Sequence, residues 1–250
     1  MGIEPSEPLR NAYQASVTGN GRAELSAGIA PMVARIRRLP GGDAEAMGWA
    51  VFATGLRISS VREQLVRGSR AKAPAEFAKG VNTGALMAMT VGFDLIAASE
   101  QGGEESGEVN GVAPGKPGLP PELAAQLQVI SRGAEQTLVD GILLPSTGFD
   151  FLDLIRSRGR YADGAEGMVP WLRAELHGLD LEQAAIGLLS CGGELAEAGR
   201  AAGKQDAERL KRRRQRKERA AELSGDLGVL LIGSVLVLVG DECHAARRSS

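Results

Sequence analysis

Aromatic side chains make up only 4% of this 250-residue sequence, and cysteine occurs twice. Large rigid rings usually anchor a core, so their scarcity predicts a core assembled from Leu, Val and Ala. Cys191 and Cys243 lie too far apart in sequence to suggest a disulfide framework, and a reducing, cytoplasmic setting is the expectation. There are only two histidines, His177 and His244. A structural zinc site wants four ligands, so no metal or other cofactor is expected. The start, MGIEPSEPLRN, has no apolar stretch, which argues against a secretory signal peptide. Strong charge of one sign is missing too. The net charge is −2, so no global field draws the protein to a polyanion or a membrane.

Glycine is what the sequence has in excess, at 34 residues, many inside otherwise helical patterns. Each interior glycine costs a helix about 0.5–1 kcal/mol relative to alanine, which predicts helices of modest stability. Apolar residues at 43% are nevertheless enough for a folded core. Arginine outnumbers lysine 23 to 6, a compositional bias before it is a chemical one.

The pattern along the chain is helical. Residues 1–30 are broken by Pro, Gly and Ser and read as an irregular lead-in. A helical region follows over 31–99. Within it, MVARIRRL (Met32–Leu39) stops at Pro40-Gly41-Gly42. A helix starts at Asp43, which has the chemistry of an N-cap, and Met47, Val51, Ile58, Val61 and Leu65 fall at helical spacing behind it. Glu76–Ala98 is a second and more apolar helix, interrupted by Gly80, Gly84 and Gly92.

Residues 100–121 are acidic and then Gly/Pro-rich, and they read as a linker. A second helical region is expected over 122–225. Leu123, Leu127, Ile130, Ala134 and Leu138 form one stripe, and Thr147 with Asp150 has the spacing of a cap. Pro170 is expected to open a helix carrying Leu172, Leu176 and Leu179. Asp180 and Gln183 resemble a further cap, and Gly192-Gly193 are expected to end the run behind it. His177, just before Gly178, suits a helix C-terminus better than a catalytic role. An apolar segment and tail occupy 226–250.

Two stretches carry candidate functions. Lys204–Arg219 holds nine bases against three acids, a net of +6. Lys204, Arg209, Lys211, Arg212, Arg213, Arg214, Arg216, Lys217 and Arg219 leave no apolar stripe. A helix that is polar all round is either solvated or suited to a polyanion, which makes these residues the candidate nucleic-acid contacts. Directly after it comes Leu227–Gly240, the longest apolar run. As a helix its 14 residues span about 21 Å against a hydrocarbon core of about 30 Å. Asp226 and Asp241 bracket it. It reads first as a core strand or helix and second as a membrane-inserted tail, in which Leu230, Leu231, Ile232, Val235, Leu236, Val237 and Leu238 would touch lipid.

VLVLVGDECHAA (Val235–Ala246) resembles motif II of the DExH-box helicases, in which an apolar strand delivers Asp-Glu-x-His to a nucleotide's magnesium. The residues that match in that resemblance are Asp241, Glu242, Cys243 and His244. AGRAAGKQ (Ala198–Gln205) in turn resembles a phosphate-binding loop. It departs from the pattern at Gln205, where a hydroxyl belongs, and at Ala198, where the first glycine belongs. Only 38 residues separate Gly203 from Asp241, and no strand pattern precedes the loop. No enzyme class is supported.

The expectation is therefore a mainly α protein. It has two helical regions joined by a Gly/Pro-rich linker, a basic helix and an apolar C-terminal element. The expected function is non-enzymatic: protein interaction or assembly with a protein partner or a second copy. Nucleic-acid association through 204–219 and membrane association through 227–240 are the alternatives.

Overall fold

The computed structural model describes residues 2–17, 22–39, 41–68, 74–102, 158–211 and 216–248. These residues are helical almost throughout, as the patterning requires. Strand β1 (Glu4–Pro5) leads into α1 (Glu7–Val17), α2 (Arg22–Arg37), α3 (Ala44–Gly68) and α4 (Pro74–Gly102). Helix α5 (Arg158–Glu175), strand β2 (Leu176–His177), α6 (Leu181–Lys211) and α7 (Arg216–Arg248) follow. The stripe over Leu123–Leu138, the Thr147/Asp150 cap and all of the linker beyond Gly102 lie outside the described residues.

Four long helices form the centre. Helices α3 and α4 run antiparallel, with Gly48 against Gly92 and Gly55 against Met89. Helices α6 and α7 do the same, with Gly192 against Gly233 and Gly199 against Leu230. The two hairpins join with α4 parallel to α7, since Gly80 meets Gly225 and, one turn on, Gly84 meets Ile232. Helix α6 also closes on α3, where Gly187 faces Met47. Helix α2 lies over α4 and α6, and α5 packs on α7.

These contacts give the glycines a different meaning from the one composition suggests. A helix with no Cβ at its contact point lets a partner's backbone approach directly, as in the small-residue seams of closely packed helices. A Cβ on Gly92 would stand 2.5 Å from the Phe52 nitrogen and 2.6 Å from the Gly48 carbonyl oxygen. One on Gly233 would collide with the Ala196 backbone, and one on Gly80 with the Gly225 carbonyl. The propensity lost along each helix is thus returned as close packing between helices. Gly192-Gly193 does not end α6, which continues to Lys211. Gly192 serves the α7 contact instead of a cap.

Capping nonetheless works where it is expected at Asp43. Its Oδ1 accepts the N–H groups of Glu45 at 3.0 Å and Ala46 at 3.2 Å, satisfying donors that the first turn of α3 leaves unpaired. Asp180 caps α6 through the Glu182 N–H at 2.9 Å. Gln183 does not join that cap. Its amide spans to the turn before α3, accepting the Asp43 N–H at 2.7 Å and donating to the Gly41 carbonyl at 2.9 Å.

Other local expectations need correcting. The lead-in is not wholly irregular, because residues 4–17 form β1 and α1, and α2 begins at Arg22. Pro170 lies within α5, near its last turns, and does not open a helix. His177 sits in β2, paired with Glu4, and Gly178 follows with φ of 80°, a left-handed turn that leads toward α6. Residues 100–102, expected to open the linker, belong to α4, which runs through Gly102.

The apolar C-terminal element is a helix, and it sits inside the bundle. Ile232, Leu236 and Val237 are fully buried, and Leu230 and Leu231 nearly so, while Val235 and Leu238 are partly exposed. Burying such a side chain contributes about 1.5–3 kcal/mol. The one buried hydroxyl in this run, Ser234, donates back to the Leu230 carbonyl at 2.9 Å. Thr54 on α3 and Thr90 on α4 use the same i−4 bond, so each polar group enters the core already satisfied.

Candidate functional site: an aromatic nest beneath the N-terminal helix

Four of the aromatic residues, Tyr13, Trp49, Phe52 and Phe93, meet at one place. Where Gly48 and Gly92 bring α3 and α4 together, the next residues along each helix are Trp49 and Phe93, with Phe52 one turn further on α3. Tyr13 of α1 inserts among these three rings. It stacks on Phe93 at 4.6 Å between centroids and 18° between planes. It lies tilted against Trp49 at 5.0 Å and edge-on to Phe52 at 5.7 Å. Trp49 and Phe52 meet edge to face at 6.1 Å. Offset and edge contacts of this kind contribute about 0.5–1.5 kcal/mol per pair beyond area burial.

Leu9, four residues before Tyr13, is the second buried anchor of α1. The opposite face, with Glu7, Arg10, Asn11 and Gln14, is exposed. The helix is therefore held from one side. Its N-terminus is tied by a separate set of contacts. Ser6 donates its backbone N–H to the Glu175 carbonyl at 2.7 Å and its hydroxyl to the Glu175 carboxylate. The same hydroxyl oxygen accepts the Leu9 N–H at 3.4 Å, as an N-cap does. Glu4 and Pro5 pair with His177 and Leu176.

Charged groups border this region. Glu45 lies one turn before Trp49, and its carboxyl is held above the usual carboxylate range. Burial is the main cause, then repulsion from Asp43 and Glu100, while a hydrogen bond with Trp49 acts the other way. Arg35 on α2 forks onto Glu194 of α6 at 2.6 and 2.5 Å, a bidentate pair that raises the already high guanidinium pKa. At the other end, Arg247 closes α7 onto the buried Glu182 at 2.6 Å. Arg57 lies over the Trp171 ring at 5.6 Å.

The residues singled out from sequence fall elsewhere. Lys204, Arg209 and Lys211 belong to α6, and Arg216, Lys217 and Arg219 to α7. Arg212, Arg213 and Arg214 lie outside the described residues, as do the side chains of the whole basic set. The helicase-like Asp241–His244 segment is part of α7 and follows no strand. Its Cys243 faces the core, where burial and then Glu242 push the thiol up to about 12, against a smaller pull from Arg173. Cys191 is pushed up further by complete burial. Neither thiol is a nucleophile in this state. Among the described residues, no three His, Cys, Asp or Glu side chains gather as a metal centre.

The sequence reading missed the nest because Tyr13 was in a stretch without regular patterning. The available signal was Leu9–Tyr13 at i, i+4 behind Ser6, a capped and one-sided helix. No known protein family, curated protein or solved structure matches this chain.

Proposed function

We propose that this chain is a non-enzymatic protein-interaction or assembly protein whose bundle receives an amphipathic helix. The observation that carries the reading is the docking of Leu9 and Tyr13. Tyr13 enters a cluster of rings contributed by α3 and α4, and Leu9, one turn before it, is buried as well, which is like the mode by which helical peptides bind grooves in other proteins. Surface chemistry supports a protein that works in water. Among the described residues Leu86, at 40%, is the exposed large hydrophobic, with Lys79 and Thr83 on the same row of α4.

Two features favour other readings. Ala75–Glu100 and Gly228–Arg247 are long and apolar enough to cross a membrane, though about half of each is buried within the bundle (50% and 56%). Small-residue seams also occur between membrane helices. The basic stretch 204–219 favours nucleic acid by charge alone.

Sedimentation of the purified full chain, from micromolar concentration upward, separates these readings. The proposal expects detergent-free solubility and self- or partner association that persists at high salt. Association only with RNA or DNA, weakening steeply with salt and lost when Lys211–Lys217 is neutralised, would replace it with the nucleic-acid reading. Recovery only in detergent would replace it with the membrane reading.

A further inference from the structure

We infer that the end of the bundle where α3 leads into α4 and α6 into α7 is a docking surface for double-helical nucleic acid, bound through its phosphates by two basic segments far apart in sequence. The inference goes beyond the protein-interaction reading and concerns a different face of the same bundle.

The packing contacts fix which helix ends lie together. Gly55 of α3 meets Met89 of α4, Gly80 of α4 meets Gly225 of α7, and Gly199 of α6 meets Leu230 of α7. From these contacts α3 runs on to Gly68 and α6 to Lys211, while α4 starts back at Pro74 and α7 at Arg216. Given the pairing directions, all four termini lie at one end. Arg62 and Arg67 on α3 and Lys79 on α4 thereby join the six bases of 204–219 that belong to α6 and α7. Lys79 is exposed and paired with Glu76 at 2.9 Å, a surface pair that competes weakly with a phosphate. Across 62–79 and 204–219 the sequence holds fourteen bases and five acids, a net of +9. The whole chain is −2, so its other residues sum to −11.

Composition selects the occupant. Residues 67–74 and 211–219 contain no aromatic residue and no Leu, Ile, Val or Met. A membrane-surface segment needs Trp, Phe or Leu to enter the acyl boundary, and single-strand binding needs rings on which bases stack. The acids of a second copy are partly answered within their own chain, Glu194 by Arg35 and Glu182 by Arg247. A duplex instead presents one negative charge per about 1.7 Å of axis, evenly spaced. Two helix diameters make this end roughly 20 Å across, enough to span about six base pairs. Phosphate contacts carry no sequence information, so binding without sequence preference is expected.

Anisotropy of a labelled DNA duplex of about 20 base pairs, titrated with the full chain between about 50 and 200 mM salt, tests this. Contact with about six phosphates gives a slope of log affinity against log salt of about −5. R62Q/R67Q/K79Q in the first segment and K211Q/R216Q/K217Q in the second are each expected to weaken binding about tenfold or more and to reduce that slope by about 2–3. R37Q/R38Q, at the opposite end of the bundle, is expected to change neither. A first-segment variant that binds like wild type leaves a single basic arm and overturns the inference. So does an equal loss in R37Q/R38Q, which makes the effect one of overall charge. Tighter binding to a single strand of the same length, or to phosphatidylserine vesicles, also overturns it. Self-association at low salt without DNA, lost in R62Q/R67Q/K79Q, does the same in favour of a second copy.

Should a variant fail to fold by circular dichroism, acylation of the wild-type lysines decides. Five of the six lysines, Lys72, Lys79, Lys204, Lys211 and Lys217, lie in the two segments, and Lys116 lies in neither. The duplex is expected to protect the five and to leave Lys116 reactive. Undiminished reactivity of Lys72 and Lys79 in the complex overturns the inference. Protein association that persists at high salt without duplex binding removes this inference and leaves the broader reading standing.

Discussion

Substituting alanine for glycine is expected to act with opposite sign at two places in this protein. In an open helix the change gains about 0.5–1 kcal/mol, because alanine loses less backbone entropy. Gly28 on α2 is such a site, with no atom within 4 Å of an added Cβ. At Gly92 the same methyl meets the Phe52 nitrogen at 2.5 Å, the Gly48 carbonyl oxygen at 2.6 Å and the Phe52 Cα at 2.8 Å. Ordinary contact begins near 3.4 Å. All three atoms are backbone of α3, so no side chain can turn aside and the two helices must part by close to an ångström. Overpacking of this kind costs about 1–3 kcal/mol, and the upper part of that range applies when only backbone can yield. After the propensity gain, Gly92→Ala is expected to destabilise the fold by about 1–2 kcal/mol. For a chain of this length that lowers the melting midpoint by roughly 2–8 °C, while Gly28→Ala raises it by roughly 1–4 °C. Parallel thermal melts by circular dichroism check both. A Gly92→Ala chain as stable as wild type would refute the claim that glycines form the helix contacts.

Asp43→Ala removes the cap of α3 and is expected to cost about 1 kcal/mol, read as a lower urea midpoint with unchanged slope. Ile232→Ala on the buried face of α7 is expected to cost about 2–5 kcal/mol, far more than a substitution at an exposed position such as Glu197. Cys191 and Cys243 are expected to resist a thiol reagent in the native state and to react fully in denaturant. The same thiols set a pH dependence. The folded pKa of Cys243 lies above its ordinary 9.0, so the unfolded state gives up this proton first as pH rises. Its contribution is complete below about pH 9 and declines from there toward about 12, with Cys191 acting in the same direction. Urea melts at pH 7, 9 and 10 check this. Stability that rises across the interval would contradict the burial of these thiols.

How much of this was legible depended on whether the information was local. Asp43 announced a helix start because a cap acts within three residues. The stripe from Met47 to Ile58 announced α3 because helical periodicity is also local. The glycines misled because their value lies in a partner distant in sequence. Gly92 reads as a weakness until Gly48 is known to face it, and Gly192-Gly193 reads as a stop until Gly233 is found across the seam. Leu227–Gly240 could be recognised as apolar but not as strand or helix, since a run apolar on every side carries no period. Its position beside both α4 and α6 is what gives it apolar surroundings on several sides. Tyr13 was the hardest to place. A short helix with two anchors makes little periodic signal, and its partners Trp49, Phe52 and Phe93 are brought together only by the α3–α4 crossing.

The central claim is that Gly228–Gly240 is an interior helix of a glycine-packed bundle, and the proposed function needs that bundle to fold in water. Hydrogen exchange with mass spectrometry on the full chain in detergent-free buffer tests it most directly. The account predicts that amides of 228–240 are among the slowest to exchange, together with those of α4 and α6 around Gly84 and Gly192, and that all three slow groups are lost at one urea concentration. Fast exchange of 228–240 in buffer, with protection appearing only when detergent or lipid is added, would contradict it.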